Sequence, residues 1–299
     1  MTRIQIQRRI NMVGTLYVVA TPIGNREDIS ARALKVLNEV DCIAAEDTRT
    51  TQNLLRMYNI SKQTVSNHKF NEQRSKNTLI SFLLEGKSVA VVSDAGTPCI
   101  SDPGFVLISA AIENHIPVIG ICGANAAVTA LSVSGFYCNT FSFYGFLPRK
   151  ESEIKAVFLR ASNCDLRVCV FYESPKRIIK SIHILQQVVP DSRVCLCNDL
   201  TKLYERIYRG NPAEVLGELN GNPDAEKGEY TLVVEFPKVL IQQETIKSGE
   251  TNEGRLINYM VLNNSSAKEA ISALSGNGIS KKELYAASLH LKELFSSDE

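Results

Sequence analysis

The sequence VAVVSDAGTP at residues 89–98, which continues as ISDPG at residues 100–104, decides how the rest of the chain is interpreted. Its apolar start, Val89 to Val92, is typical of a buried parallel strand. Small, turn-forming and acidic residues end the strand, and a helical pattern follows from Phe105 to Glu113. Ligands of open α/β sheets bind where loops leave the carboxyl ends of strands, so Asp94 is a candidate ligand-binding carboxylate. A tight strand-to-helix turn without a ligand is the alternative when the stretch is considered alone.

Short apolar runs and amphipathic segments alternate on both sides of this stretch. The runs predict strands at residues 14–20, 40–45, 64–66, 89–92 and 116–121, and then at 140–146, 166–172, 193–197, 204–208 and 230–236. The segments predict helices from about residue 27, at 50–58, 73–85, 105–113, 126–134 and 151–161, from residue 175, and at 212–219. In the first half, this alternation predicts a mostly parallel sheet with helices on both faces.

The pattern restarts at residues 135–139, and the polar stretch 238–253 is typical of a linker. Three further helices are predicted at residues 255–262, 266–274 and 281–294, with a turn at SGNG, residues 275–278. We therefore expect an α/β fold of two domains with a small C-terminal helical unit. The predicted divisions are an N-terminal extension 1–11, an α/β domain 12–136, a second α/β domain 137–237, and a linker with a helical region 238–299.

Length and composition restrict the class of protein more than they indicate a partner. A chain of 299 residues with 44% hydrophobic residues can bury two compact cores. The net charge of +1 favours no particular partner, because 33 basic residues nearly balance 32 acidic ones. No apolar run approaches the roughly 18 residues of a transmembrane helix, and the basic N-terminus is not followed by the apolar stretch of a signal peptide. We expect a soluble, cytoplasmic protein without a membrane partner.

The sequence lacks the cysteine pairs of metal sites and the loop motifs of several enzyme classes. The eight cysteines fall singly in apolar runs without a C-x-x-C pair, so we expect free thiols in a reducing compartment and no metal site. The loops after the predicted strands also lack the G-x-G-x-x-G, Walker A, G-x-S-x-G and H-E-x-x-H patterns. Hydride transfer, phosphoryl transfer and metallohydrolysis are therefore disfavoured.

Six short motifs lie in a fixed order at or beside the predicted strands. They are LYVVATPIGN at residues 16–25, AAEDTR at 44–49, VSDAGTP at 92–98 with SDPG at 101–104, YGFLP at 144–148, FYESPKR at 171–177 and KGEY at 227–230. Together they resemble the ribosomal RNA small subunit methyltransferase I family, which belongs to the tetrapyrrole-methylase-like (class III) methyltransferases. The resemblance runs from about residue 14 to residue 236 and is weaker in the C-terminal helices.

The resemblance implies S-adenosylmethionine as methyl donor, bound in the cleft between two α/β domains, and a homodimer. It implies methyl transfer to the ribose 2′-oxygen of a cytidine, cytidine 1402, in the 16S rRNA of the 30S subunit. Carried over residue by residue, the implied donor site comprises Pro22, Asp94, Ala95, Gly96, Thr97, Asn125, Ala126, Tyr172, Glu173, Glu229, Tyr230 and Thr231. Residues 122–126 read CGANA where the family usually has prolines at the first and third positions, so side-chain contacts there are expected to differ.

A ribose hydroxyl is a weak nucleophile, so its methylation benefits from a base or from stabilisation of the developing alkoxide. The candidates are Glu46, Asp47, His68, Glu72, Glu173 and Lys202. Each could be structural instead, since Glu46 and Asp47 could form an ion-pair cluster with Arg49. We favour Asp47 with Arg49 as the pair nearest the substrate, and we retain Glu173 as a third catalytic candidate.

Binding of rRNA requires local positive charge, because the phosphate backbone dominates affinity. The candidates for RNA binding are Arg26, Arg149, Lys150, Lys176, Arg177, Lys202, Lys281 and Lys282, with Arg206 and Arg209 beside Lys202. Solvated surface charge is the alternative for each of them. Phe70, Tyr144 and Phe146 are candidates to stack on a base that has left its pair, although Phe146 could equally be a core residue.

Two alternatives to an rRNA methyltransferase remain at this point. The same fold could methylate a tetrapyrrole-like small molecule, for which salt-sensitive RNA binding is not expected. The chain could also be a non-catalytic RNA-binding factor that retains a donor pocket, in which case replacement of Asp94 would leave RNA binding unchanged.

Overall fold

The computed structural model describes residues 13–237, 251–275 and 279–296. The predicted extension at residues 1–11, most of the predicted linker, and residues 276–278 of the predicted turn lie outside the described residues. The described residues form two compact units, one ending at residue 237 and the other beginning at residue 251. Each unit is described by itself.

The first sheet contains five parallel strands in the order β3-β2-β4-β1-β5. Its strands are β1 (Leu16–Val19), β2 (Cys42–Ala45), β3 (Thr64–Ser66), β4 (Val89–Val92) and β5 (Val118–Ile121). The accompanying helices are α1 (Ala31–Glu39), α2 (Thr48–Met57), α3 (Glu72–Leu84), α4 (Phe105–Glu113) and α5 (Ala126–Ser134). The predicted mostly parallel sheet is thus confirmed.

Both faces of this sheet are buried, which explains why its strands are apolar at nearly every position. Successive side chains of a strand point to opposite faces. Cys42 and Ala44 therefore join one core with α3 and α4, whereas Ile43 and Ala45 join another with α1 and α2. A central parallel strand covered on both sides can carry no alternating pattern.

The prediction of a helix from about residue 27 is wrong in its start. Residues Arg26–Asp28 form only a short 3₁₀ turn, and α1 begins at Ala31. The Ser30 hydroxyl accepts a hydrogen bond from Ala33 N at 3.1 Å, which caps the helix there. The polar residues before Ser30 therefore belong to the loop after β1.

The second sheet is mixed and has the strand order β6-β7-β10-β8-β9. Its strands are β6 (Ser142–Phe146), β7 (Val168–Glu173), β8 (Arg193–Asn198), β9 (Arg206–Gly210) and β10 (Tyr230–Glu235), and its helices are α6 (Glu151–Ser162), α7 (Pro175–Val188) and α8 (Pro212–Asn220). Only β6 and β7 pair in parallel. The strand predicted at residues 204–208 lies two residues later, because Tyr208 pairs with Leu196 while Tyr204 stays in an exposed loop.

Helix α5 connects the two sheets. It follows β5 of the first sheet, but its buried residues Ala127, Ala130 and Leu131 pack against strands of the second sheet. Their contacts include Val170 on β7 and Val233 on β10. The packing of α5 therefore crosses the domain boundary predicted at residue 136, and that boundary stays a prediction.

The C-terminal unit consists of α9 (Asn252–Asn263), α10 (Ala267–Leu274) and α11 (Lys281–Ser296). Leu256, Ile271 and Leu284, one from each helix, form its small core with Ala270, Leu274 and Ala287. Ser266 and Glu269 cap the start of α10 reciprocally. The predicted helical unit is confirmed, and no helix among the described residues is long and apolar enough to cross a membrane.

Candidate active site

The loops after β1 and β4 are joined where the parallel strands end. Thr21 and Gly96 form an isolated antiparallel bridge with N–H to O distances of 2.9 and 3.0 Å. Gly96 adopts a φ of +78°, which favours glycine, and its missing side chain leaves room for Ile23. The Thr97 hydroxyl donates to Ala124 O at 3.0 Å and so connects the β4 loop to the β5 loop.

A cavity of about 400 Å³ opens beside these loops, between residues of the first sheet and residues of the second. All residues predicted to bind the donor line it except Pro22, whose neighbour Ile23 does. The structure thus brings Asp94 and Tyr172 to one cavity. It adds residues that the sequence prediction did not include, namely Ile23, Ile100, Ser101, Asp102, Ser174 and Pro175.

The first sheet contributes two carboxylates to the cavity, and each of them accepts a hydrogen bond from a backbone N–H. Asp94 Oδ1 accepts a hydrogen bond from Asp47 N at 3.0 Å, and Asp94 N donates to Glu46 Oε2 at 3.4 Å. Burial raises the pKa of Glu46, and the nearby Asp94 carboxylate raises it further. Glu46 was one of the candidate bases, and it lines the cavity.

Asp102 also lines the cavity, on the loop between β4 and α4. Burial raises the pKa of Asp102 to about 6, and the carboxylates of Glu46 and Asp94 add to this effect while a hydrogen bond from Ser93 opposes it. The sequence offered a signal for this residue, because SDPG at residues 101–104 belongs to the motifs of the resemblance. Asp102 was nevertheless not among the predicted site residues, because the sequence alone does not show which side chains lie beside it.

Asp47 and Arg49, the favoured catalytic pair, do not line the cavity. Asp47 caps α2 by accepting from Arg49 N at 2.8 Å, and the Arg49 guanidinium lies 2.8 Å from its other carboxylate oxygen. The hydrogen bonds from Arg49 lower the pKa of Asp47 to about 2. A carboxylate with so low a pKa is a weak base. Asp47 and Arg49 form the ion pair of the structural alternative, whereas Glu46, its third member, accepts from Asp94 N instead.

Glu173, the third catalytic candidate, lines the cavity, but both of its carboxylate oxygens are bonded to other groups of the protein. Its Oε1 accepts from Ser174 N at 2.6 Å and lies 2.5 Å from the Arg177 guanidinium, while Oε2 accepts from the Ser181 hydroxyl at 2.6 Å. Arg177 also donates to the carbonyl oxygens of Leu147 and Pro148, at 3.2 and 2.9 Å. This geometry describes a carboxylate and a guanidinium that order the loops after β6 and β7.

Lys202 does not line the cavity but pairs with a residue that does. Its ammonium group lies 2.7 Å from Asp199 Oδ1 and 3.0 Å from Glu229 Oε2, and Glu229 lines the cavity. The preceding Thr201 hydroxyl accepts from Asn25 N at 2.9 Å. Gly24 permits this approach, because a Cβ there would lie 2.5 Å from Lys202 Cγ.

The aromatic candidates separate into two environments. Phe146 is 60% exposed, lines the cavity and contacts Tyr172 edge to face at 5.5 Å between ring centroids. Phe70 is 92% exposed, in the loop after β3 that also contains His68. Tyr144 instead stacks on Phe171 at 5.0 Å as part of the second core, so its geometry favours packing.

The remaining basic candidates are mostly exposed. Arg26, Arg149, Lys150 and Lys176 have exposed side chains on loops or helix starts near residues that line the cavity. Lys281 and Lys282 are exposed at the start of α11, in the separate C-terminal unit. Within the described ranges, no group of three or more His, Cys, Asp or Glu side chains is placed to hold a metal ion.

The model of the tetrapyrrole (corrin/porphyrin) methylase family matches residues 15–216, which include both sheets up to β9 and most of α8. The chain belongs to this family. Among its tetrapyrrole methylase relatives, one named ribosomal RNA small subunit methyltransferase I from Halalkalibacterium halodurans is 39% identical over 91% of this chain and 93% of its own. Its namesake from Bacillus subtilis is 38% identical over 94% and 96%. These relatives confirm the resemblance drawn from the six motifs.

Solved structures agree with the tetrapyrrole methylase fold. Diphthine synthase is 14% identical with a TM-score of 0.57, covering 75% of this chain and 90% of its own. Uroporphyrin-III C-methyltransferase from Thermus thermophilus, solved with S-adenosylhomocysteine, is 14% identical with a TM-score of 0.51 over 74% and 97%. At such low identity these likenesses establish the fold alone.

Proposed function

We propose that this protein is an S-adenosylmethionine-dependent methyltransferase that modifies the ribose 2′-oxygen of cytidine 1402 in 16S rRNA of the small ribosomal subunit. The observation that carries the proposal is the match over more than nine-tenths of both chains to relatives named for small-subunit rRNA methylation. Such a substrate places the protein in the cytoplasm, where ribosomal subunits assemble.

The cavity suits S-adenosylmethionine in size and chemistry. Its volume of about 400 Å³ falls within the roughly 300–1,000 Å³ typical of small-molecule pockets. Ala95, Gly96 and Ala126 keep part of the wall small, so that a ligand can approach the backbone. Asp94 and Glu229 offer carboxylates to the amino and hydroxyl groups of such a ligand, while Tyr172 offers an aromatic surface. When bound, the donor supplies an electrophilic methyl group on a sulfonium.

The chain's own residues must then hold the target nucleotide against this cavity. Positioning accounts for much of the rate when a nucleophile must meet a carbon in line with its leaving group. Phe146 is an exposed ring at the cavity on which a base that has left its pair can stack. Arg149, Lys150 and Lys176 follow within a few residues of Phe146 and Pro175, and they offer phosphate contacts.

We also propose a homodimer that uses the outer face of α4. Phe105 is 72% exposed and Ile112 is 60% exposed, and residues seven apart on a helix share one face. A replacement of both by Glu is expected to shift the mass measured by light scattering from a dimer to a monomer. An unchanged mass would assign the contact to another surface.

The central experiment is methylation of 30S subunits purified from a strain that lacks this protein. The wild-type protein with labelled S-adenosylmethionine is expected to label one cytidine ribose, which mass spectrometry of nuclease fragments identifies. Label on a base, or at another nucleotide, would contradict the substrate assignment. Label on a tetrapyrrole and none on rRNA would favour the small-molecule alternative.

A further inference from the structure

Five carboxylates line the cavity, and four of them have clear binding partners within the protein. Glu173 is held by Arg177 and two other donors, and Glu229 is paired with Lys202. Asp94 accepts from the Asp47 backbone, and Glu46 accepts from the Asp94 backbone. The fifth is Asp102, which is half-buried and accepts a hydrogen bond from Ser93, but whose charged neighbours are acidic rather than basic.

The loop that carries Asp102 extends from the first sheet to the second. Ser101, the residue before it, adopts a φ of +72°, and its hydroxyl oxygen would lie 2.9 Å from a Cβ on Gly145 of β6. Gly104, after it, has a φ of +130° and donates its N–H to Glu72 Oε1 at 2.5 Å. Both ends of the loop are therefore fixed, and Asp102 is held where the two sheets face each other.

Asp102 interacts with carboxylates of the first sheet and with a ring of the second. Glu46 and Asp94 act on it from the ends of β2 and β4, and it acts in turn on Tyr172 of β7. Cys99, in its own loop, lies close enough to be influenced by both Asp102 and Glu72. Asp102 thus lines the same cavity as the residues proposed to bind the donor and as Phe146, the ring proposed to receive the nucleotide.

We propose that Asp102 is the general base that removes the proton from the target ribose hydroxyl, an inference that rests on the proposed function. As the 2′-oxygen forms its bond to the methyl carbon, the bond from that carbon to sulfur breaks and its electron pair stays on sulfur. The sulfonium becomes a neutral thioether, and the hydroxyl proton passes to the Asp102 carboxylate. Asp102 later releases the proton to water.

The electrostatic surroundings of Asp102 suit this task better than those of Asp47, the base favoured from the sequence. A base is most effective when its pKa lies near the working pH, since it is then both ionised and able to hold a proton. The pKa of about 6 for Asp102 meets both conditions, whereas the pKa of Asp47, about 2, meets only the first. Glu46 contributes by raising the pKa of Asp102, so it acts as a positioning and tuning residue.

The test compares Asp102→Asn with the wild type and with Asp165→Asn, an exposed control with the same chemical change. Single-turnover methylation of the deficient 30S subunits is measured across pH, and affinities for the donor and for 30S subunits are measured separately by calorimetry and filter binding. Asp102→Asn is expected to lower the rate by about a hundredfold or more, with both affinities within about twofold of the wild type. Asp102→Glu is expected to have a rate between those of Asp102→Asn and the wild type. The control Asp165→Asn is expected to have the wild-type rate.

The pH profile separates a base from a merely structural residue. The wild-type rate is expected to rise with pH through a midpoint near the pKa of Asp102, about 6, and then to level off. Glu46→Gln removes a nearby negative charge, so it is expected to move this midpoint to lower pH. In Asp102→Asn the rise at that midpoint should disappear.

Each outcome supports or excludes Asp102 as the general base. If the wild type methylates the ribose but Asp102→Asn keeps more than about a tenth of its rate, or keeps the same pH midpoint, Asp102 is not the base although the proposed function stands. If the donor affinity falls in proportion to the rate, Asp102 is a binding residue. If the wild type methylates no ribose, the proposed function fails and this role fails with it.

Discussion

Glu173 and Asp102 line the same cavity from opposite sheets, but their surroundings differ in kind. Glu173 is the last residue of β7 in the second sheet and is surrounded by donors, including the Arg177 guanidinium. Asp102 lies in a loop of the first sheet, and its pKa is raised mainly by burial and further by the carboxylates of Glu46 and Asp94. The bonds of Glu173 thus hold loops of the second sheet in place, whereas the surroundings of Asp102 suit the proton transfer proposed for it.

The largest expected effect tests the structural side of this comparison. Glu173→Ala removes a buried carboxylate and leaves the Arg177 guanidinium and the Ser181 hydroxyl without their shared partner. Breaking a buried pair costs about 3–5 kcal/mol, so we expect the free energy of unfolding in urea to fall by about 3 kcal/mol. Glu153→Ala, at an exposed ion pair with Lys150, is the control and should change it by less than about 1 kcal/mol. If the free energy of unfolding falls no more than in the control, Glu173 does not stabilise the fold in the way described.

The next effect tests the binding side. Asp94→Asn keeps an oxygen that can accept from Asp47 N, so the fold should be retained, but it removes the charge proposed to meet the donor. A lost charged hydrogen bond costs about 1.5–3 kcal/mol, so donor affinity measured by calorimetry should fall at least about tenfold. Asp165→Asn should bind as the wild type does. Unchanged affinity would mean that Asp94 serves only the loop.

A smaller effect follows from the raised pKa of Asp102, about 6 when folded. Because the folded protein holds this proton more tightly than the unfolded chain, the contribution to stability is present below about pH 4 and is lost as the pH rises through 6. Asn carries no proton to lose. Asp102→Asn should therefore raise the free energy of unfolding by about 1 kcal/mol at about pH 8, a value reduced for solvent screening, and by little at about pH 4.5.

An equal change at both pH values would show that the gain comes from packing rather than from ionisation. Such a result would mean that the carboxylates of Glu46 and Asp94 do not raise the pKa of Asp102.

The smallest effect concerns Lys202, the cation that is paired with Glu229 at the edge of the cavity. The pair is partly exposed, so its loss should weaken donor binding only about threefold in Lys202→Met. Lys227→Met removes a comparable exposed pair with Asp224, outside the cavity lining, and should leave donor affinity unchanged. Equal effects of the two variants would indicate a general effect of net charge.

Much of the fold could be predicted because the first sheet is buried on both faces. Strands such as Val89–Val92 are then apolar without interruption, and a parallel sheet brings their loops to one edge. The residues predicted to bind the donor came from the family resemblance, and all but Pro22 line one cavity. Where a helix or strand starts was less predictable, as Ser30 and Tyr204 show, because a cap or an exposed loop decides it locally.

The pairing of charges could not be predicted, because it depends on contacts between distant segments. Arg177 looked like an RNA ligand, yet its guanidinium donates to carbonyl groups about 30 residues earlier in the chain. Asp47 looked like a base, yet it caps its own helix and pairs with Arg49. Asp102 was not singled out, because only the tertiary structure places it beside Glu46.

Helix α5 limits how the cavity can open. It begins at Ala126 in the cavity lining, and its buried side chains pack along the second sheet. The hydroxyl of Thr97 donates to Ala124 O, two residues before the helix, so this hydrogen bond links the first sheet to the start of α5. A movement that separates the two sheets would have to break either this apolar packing or the hydrogen bond of Thr97.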